Sequence, residues 1–262
     1  MAHVRTLAAF PQLAIHDVTC RAARGGPGQL RGGEATHLVF VRRGAFVAHL
    51  ARRAYVADPC TALLSWAETE YRLSHPGVHG DDCTVFELSP ALADELLHGR
   101  HARRDFELPL SPSVQARYAL ALTTAQHGDA LATEEVALEL ARAALGERPD
   151  VVGPREPRRA LVRRARELLD ADPTSSSSVG EIASAVGVSS HHLMRVFRHE
   201  TGTTLRAYRV QLRLALALHR LRAGERDISA LAAELGFASH AHLTDTFKRL
   251  LGTSPREFRA RL

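Results

Sequence analysis

VGEIASAVGVSSHHLMRVFRHETG (179–202) and DISALAAELGFASHAHLTDTFKRLLG (227–252) are two versions of one pattern. The first runs Ile182-Ala183, Gly187, Ser189, Leu193, Phe197, Gly202; the second runs Leu231-Ala232, Gly236, Ser239, Leu243, Phe247, Gly252. Ala to Gly is four residues in both, and Leu to Phe to Gly is four and then five in both. Only the turn differs, by one residue: Gly236 to Leu243 against Gly187 to Leu193. A spacing kept on both sides of a turn and relaxed only within it predicts two helix-turn-helix units, each with its second helix offered to a DNA major groove.

Local signals frame both copies. Ser178-Val179-Gly180-Glu181 is a capping box, in which a hydroxyl and a carboxylate satisfy the amide groups at a helix start. Ser189, Asp227 and Ser239 are expected to cap the following helices, and Thr204 to cap a long helix over 205–223. Ser254-Pro255-Arg256-Glu257 adds a capping box with proline at the first helical position. Upstream, RRALVRRARELLDA (158–171) reads as an amphipathic helix, so seven helices fill about a hundred residues.

In each copy the small core takes Ile182, Ala183, Leu193 and Phe197, or Leu231, Ala232, Leu243 and Phe247. The exposed side of the second helix then carries Ser190, His191, Met194, Arg195 and Arg198, or His240, Ala241, Thr244, Asp245 and Lys248. Arg195 is the strongest candidate for reading a base, because a guanidinium pairs bidentately with guanine O6 and N7. Asp245 would be repelled by phosphate but can accept from a cytosine amine, so unequal contributions are expected. Ser189, Arg198, Arg206, Ser239, Lys248, Arg249 and Arg256 are placed to meet phosphate, as are the amides at the two helix starts.

Charge follows the same division. Residues 155–262 hold 19 Lys+Arg against 11 Asp+Glu, a net of +8, whereas residues 1–154 hold 15 against 18, a net of −3. That asymmetry suits a nucleic-acid-binding half joined to a near-neutral one. Lys248 is the sole lysine, so arginine abundance by itself says nothing of function. No apolar run approaches the roughly 20 residues of a membrane helix. MAHVRTLAAFPQL (1–13) lacks a basic segment followed by a long apolar stretch, so cytoplasmic residence is expected.

The first third is strand-like: HLVFV (37–41), AFVAHLA (45–51), AYVA (54–57), TALLSW (61–66), EYRLS (70–74) and CTVFEL (83–88), divided by turn signals at 42–44, 58–59 and 75–80. Short strands at this spacing predict a β-sandwich or barrel, with one or two more strands before Gly33. Ser89-Pro90 opens a short helix, and 111–129 with 132–145 read as an antiparallel helix pair. GERPDVVGPREP (146–157) is the linker. Cys20, Cys60 and Cys83 are too few and too far apart for a disulfide framework and read as buried apolar residues.

VGEIASAVGVSSHHLMRVFRHETGTTLRAYRVQLRLALALHRL (179–221) and DISALAAELGFASHAHLTDTFKRLLGTSPREFR (227–259) together resemble the AraC/XylS-type transcriptional regulators over about residues 155–262. Gly236-Phe237, Phe247-Lys248, Gly252 and Ser254 to Arg259 are the most specific matches. The resemblance implies an α+β chain with four parts: a cupin-like β-barrel sensor over 1–108, a helical dimerisation or connector segment over 109–145, the linker, and a double helix-turn-helix domain over 158–262. It implies promoter binding by a homodimer, a small-molecule effector and RNA polymerase as partners. Base reading would fall on His191, Met194, Arg195, His240, Ala241 and Asp245, where Met194 and Ala241 replace the polar residues often found.

His37, Trp66, Tyr71 and Phe86 are candidates to line an effector pocket, or else to pack. A metal-dependent cupin would show two close histidines and a later one. Here His37 is followed by Val39 instead of a second histidine, and His49 lies far along the next strand. His75, His79 and Cys83 have ligand types at four-residue intervals but read as a polar turn entering a strand, so no metal, no cofactor and no catalytic residue is expected. Two other readings stay open: a metal-cupin enzyme fused to a DNA-binding module, and an effector-independent architectural DNA binder.

Overall fold

A computed structural model describes residues 2–21, 25, 28, 30–32, 35–50, 53–77, 80–97, 107–146 and 156–262. The chain divides into two compact units, Met1–Arg148 and Pro149–Leu262, one sheet-rich and one helical. No helix among the described residues is long and apolar enough to cross a membrane.

In the first unit the strands are β1 (Ala2–Ala9), β2 (Leu13–Cys20), β3 (Leu30–Arg31), β4 (Thr36–Arg43), β5 (Phe46–Leu50), β6 (Arg53–Ala57), β7 (Thr61–Ser65), β8 (Tyr71–Ser74), β9 (Asp81–Leu88) and β10 (Glu107–Pro109). They divide into a six-stranded sheet, β1-β2-β9-β4-β7-β10, and a four-stranded sheet, β3-β8-β5-β6. The expected cupin-like barrel is therefore met as two sheets, not as one sheet closed on itself. Three strands precede Gly33 where one or two were expected, and β10 was not anticipated. The turn signal at 42–44 narrows to Gly44, which turns with φ 73°, while Arg42 and Arg43 still belong to β4.

Strand alternation assigns the two faces of the larger sheet. β2 and β9 pair Leu13 with Leu88, Ile15 with Phe86 and Asp17 with Thr84, and β4 adds Leu38 opposite Phe86. This face packs on α1 (Pro90–Leu97), α2 (Pro112–His127) and α3 (Ala130–Gly146), burying Phe40, Phe86, Leu92, Val114, Tyr118, Ala137, Leu140 and Ala144 in one cluster. The helices of 112–146 thus share the core of the sheet. A polar network lies on the same face: Arg42 bonds Asp17, Thr84 and the Cys83 carbonyl, while the Tyr118 hydroxyl donates to Thr84 at 2.7 Å. The opposite face carries Val18, Val39, Val41, Leu63 and Cys83, packed with Phe46, Ala48 and Tyr55 of the smaller sheet.

The second unit contains α4 (Glu156–Ala171), α5 (Val179–Ala185), α6 (Ser190–Thr201), α7 (Leu205–Arg222), α8 (Ile228–Glu234), α9 (His240–Leu251) and α10 (Pro255–Arg259). Helix starts fall where the capping residues predict, and Gly202 and Gly252 close α6 and α9 in the left-handed conformation. The linker expected over 146–157 lies largely outside the described residues.

Candidate nucleic-acid interface

The two helix pairs, α5–α6 and α8–α9, are built alike from the inside. Ile182, Ala183, Leu193 and Phe197 are buried, as are Leu231, Ala232, Leu243 and Phe247, with both phenylalanines at 0% exposure. Each turn passes through a glycine of positive φ, 78° at Gly187 and 71° at Gly236. Ser189 accepts from the His192 amide at 3.3 Å and Ser239 from the His242 amide at 3.1 Å, so α6 and α9 start with the same cap.

The helix starts differ further up. Ser178 and Glu181 complete a capping box at α5, and these hydrogen bonds hold the Glu181 carboxyl below the usual carboxylate range. At α8, Asp227 accepts from the amides of Ser229 and Ala230. Beside it the Arg220 guanidinium, with the Asp227 and Arg226 amides, lowers the Glu225 carboxyl. Ser254 and Glu257 repeat the capping box at α10.

With one side of each second helix buried, the other is fixed. His191, Met194, Arg195 and Arg198 are exposed on α6; His240, Ala241, Asp245, Lys248 and Arg249 are exposed on α9. Ser189, Ser239, Arg206 and Arg256 are exposed as well. Met194 is 47% exposed, an apolar side chain left open on a face otherwise rich in hydrogen-bonding groups. The fold therefore leaves every base-reading and phosphate-contacting candidate accessible.

It also sorts the arginines. Arg213 donates to the carbonyls of Pro173, Thr174, Ser175 and Gly236 at 2.6–3.1 Å. Arg220 bridges Glu225 and Glu234, Arg259 donates to the Glu225 and Arg226 carbonyls, and Arg166 donates to the Tyr208 hydroxyl. These cations hold the fold. Sequence reading passed over Arg213, because its acceptors lie 23 to 40 residues away and no local spacing announces them. By contrast, no ion pair engages Arg195, Arg198, Arg206, Lys248, Arg249 or Arg256 among the described residues.

In the first unit the four effector candidates do not converge. His37 pairs with Glu87 across β4 and β9, on the face toward the smaller sheet, whereas Phe86 lies on the helix-covered face at 1% exposure. Phe86 is edge-on to Phe40 at 5.4 Å and is packing. Trp66 packs against both clusters, and Tyr71 of β8 shares a strand face with Leu73, which packs on the inter-sheet side, so Phe86 is the candidate that stands apart. His37 and His16 both approach the Glu87 carboxylate, at 3.7 and 3.4 Å; burial pulls the His37 imidazole below its ordinary pKa, against the opposing pull of Glu87. His16 and Glu87 escaped the sequence reading because only strand register brings them to His37.

Residues 182–261 match the helix-turn-helix domain family. Regulatory protein SoxS of Salmonella typhimurium is 32% identical over 102 residues, which are 39% of this chain and 95% of that protein. An AraC-like transcription regulator of Streptomyces antibioticus is 34% identical over 99 residues, 38% of this chain and 33% of that protein. The chain thus spans about a third of the length of the Streptomyces relatives it matches. ToxT of Vibrio cholerae aligns over 96% of this chain and 97% of its own at 13% identity and a TM-score of 0.39. The repeated helix pairs with their caps, and a relative matched over nearly its whole length, lead to one statement: the chain belongs to the AraC/XylS-type family of transcription regulators.

Proposed function

We propose that the protein is a sequence-specific DNA-binding regulator of nearby promoters that lays α6 and α9, as two helix-turn-helix reading helices, into the major groove of a duplex. The observation that carries this reading is the face left over when both cores are filled: reading candidates over matching serine caps, flanked by cations that form no ion pair among the described residues. In this reading His191, Met194 and Arg195 meet bases through α6, and His240, Ala241 and Asp245 through α9. Arg195 takes a guanine and Met194 packs on a thymine methyl, while Ser189, Arg198, Arg206, Ser239, Lys248, Arg249 and Arg256 hold phosphates. The first unit serves as a cupin-like sensor and dimerisation part. Its effector contacts fall on the inter-sheet side, where His37 and Trp66 lie, with Phe86 excluded by its face. The working form is a cytoplasmic homodimer that cooperates with RNA polymerase.

Fluorescence anisotropy of the full chain on promoter DNA from its own locus, titrated against salt, tests the reading. Site-selective binding that weakens steeply as salt rises is the expected result. Equal affinity for every duplex would replace it with the architectural alternative, and binding unaffected by salt would remove the phosphate contacts.

A further inference from the structure

Three potential metal ligands, Cys20 and the more distant pair His75 and Asp81, meet at one corner of the first unit. Cys20 is the last residue of β2 and Asp81 the first of β9, and the two are direct partners across the antiparallel ladder. Directly opposed residues present their side chains on one face, here the face toward the smaller sheet. His75 follows β8 of that smaller sheet, so the chain brings it in as it crosses from one sheet to the other. The corner is tight: a side chain on Gly80 would place its Cβ 1.9 Å from the Cys20 carbonyl oxygen, and one on Gly44 would place it 2.2 Å from the Gly80 oxygen. Glycine at both positions lets the strands close until donor atoms of Cys20, His75 and Asp81 all lie within 4.8 Å of one another.

The Asp81 carboxylate shows that this is more than an ion pair. Its side chain is 5% exposed, and His75 Nε2 stands 2.7 Å from Oδ1. Yet Oδ1 is a buried oxygen with no hydrogen-bond partner. Nitrogen and oxygen are close without being aligned as donor and acceptor. A buried carboxylate oxygen left this way is costly unless something completes it. The other oxygen is already used: the buried Cys83 thiol donates to Oδ2 at 2.8 Å. Cys83 therefore orients the carboxylate as an outer partner would.

We propose that the Cys20 sulfur, a His75 ring nitrogen and an Asp81 carboxylate oxygen form a site for zinc(II) or a similar late first-row divalent ion. A thiolate, an imidazole and a carboxylate are the donors zinc prefers, and three protein ligands leave its fourth position to solvent or a small ligand. Bonds of about 2.0–2.3 Å set tetrahedral donors roughly 3.3–3.6 Å apart, so the widest gap closes by about 1 Å while the His75–Asp81 contact, now 2.7 Å, opens by roughly 0.6 Å. On binding, the Cys20 thiol gives its proton to solvent and the ion takes its place, so binding weakens as pH falls. His75 is half-buried, which gives the ion a way in.

The test uses the untagged full chain and cobalt(II), with zinc(II) in competition, and reads no DNA binding, so its failure would leave the regulator reading untouched. One equivalent of cobalt is expected, with visible bands of a tetrahedral ion and a near-ultraviolet thiolate charge-transfer band, all displaced by zinc. Cys20→Ser should lose the charge-transfer band, and His75→Gln should lose the tetrahedral bands. Cys60→Ser, at a buried cysteine outside the cluster, should keep both. No stoichiometric cobalt on the unmodified chain would overturn the proposal. So would a charge-transfer band that survives Cys20→Ser and disappears in Cys83→Ser.

Discussion

The two helix pairs of the second unit share a scaffold and differ in everything placed on it. Inside, position matches position: a branched aliphatic residue followed by alanine on the first helix, the same buried Leu and Phe on the second, the same serine cap. Outside, α6 presents His191, Arg195 and Arg198 where α9 presents Ala241, Asp245 and Lys248. Packing constrains a core to one volume and one shape, whereas an exposed face is free to be chosen for what it meets. The pairs therefore should respond alike when the scaffold is damaged and differently when the face is changed.

The largest expected effects test the sameness. Phe197→Ala and Phe247→Ala each remove a fully buried ring, at a cost of about 3–5 kcal/mol from lost transfer and the cavity left behind. Urea unfolding should find the two costs similar. If one of them fell below about 1 kcal/mol, in the range of an ordinary surface change, the common scaffold would be disproved.

The turns come next and should separate the pairs. Both glycines have positive φ, so alanine at either costs about 1–2 kcal/mol in backbone strain. An added Cβ at Gly187 meets nothing within 4 Å; at Gly236 it would lie 2.7 Å from the Thr174 carbonyl oxygen and 3.0 Å from Arg213. Gly236→Ala should therefore cost roughly a further 1–3 kcal/mol for overpacking. Equal losses for the two glycines would show that the Arg213 clamp yields freely.

How much of this was open to sequence reading depends on how far apart the interacting residues lie. Caps, turn glycines and helix faces are decided within four or five residues, so the second unit is almost wholly readable, including its exposed candidates. The first unit is not. β1 is an exposed strand bearing His3, Arg5 and Thr6 without a clean apolar alternation, so nothing local marks it. Whether Phe86 lines a pocket or fills a core is decided by pairing with Leu38 and Ile15, and Cys20 meets Asp81 across a separation of 61 residues. Register is a long-range property, and the candidate ligands were visible only as isolated residue types until the strands were paired.

Smaller effects fall on the faces. Arg195→Ala should cost about 1–3 kcal/mol on the specific site and little on unrelated duplex, if Arg195 reads a base. A loss equal on both would move Arg195 to the phosphate group and reduce the salt slope by about one. Asp245→Asn works the other way, since it removes a charge that phosphate repels. Its expected outcome is tighter binding to any duplex with poorer discrimination between sequences, measured on the same two probes. Unchanged discrimination would take Asp245 out of the reading set.

The smallest effects compare the two leading helices in acid. Glu181 and Glu225 both have carboxyls held below their ordinary value of 4.5, Glu181 by the Ser178 amide and hydroxyl and Glu225 first by Arg220. A carboxyl lowered on folding supports the folded state fully above its unfolded value, and that support disappears as pH falls through the folded one. Thermal stability should therefore decline with pH below about 4.5 more steeply in the wild type than in Glu181→Gln or Glu225→Gln. Salt tells the two apart. The Glu225–Arg220 pair at 2.9 Å is exposed enough to be screened, whereas the Glu181 contacts are hydrogen bonds within one helix turn. Raising ionic strength at neutral pH should shrink the effect of Glu225→Gln and leave that of Glu181→Gln in place. Equal salt sensitivity would mean that α5 and α8 begin by the same electrostatics after all, and that the pairs differ only on their outer faces.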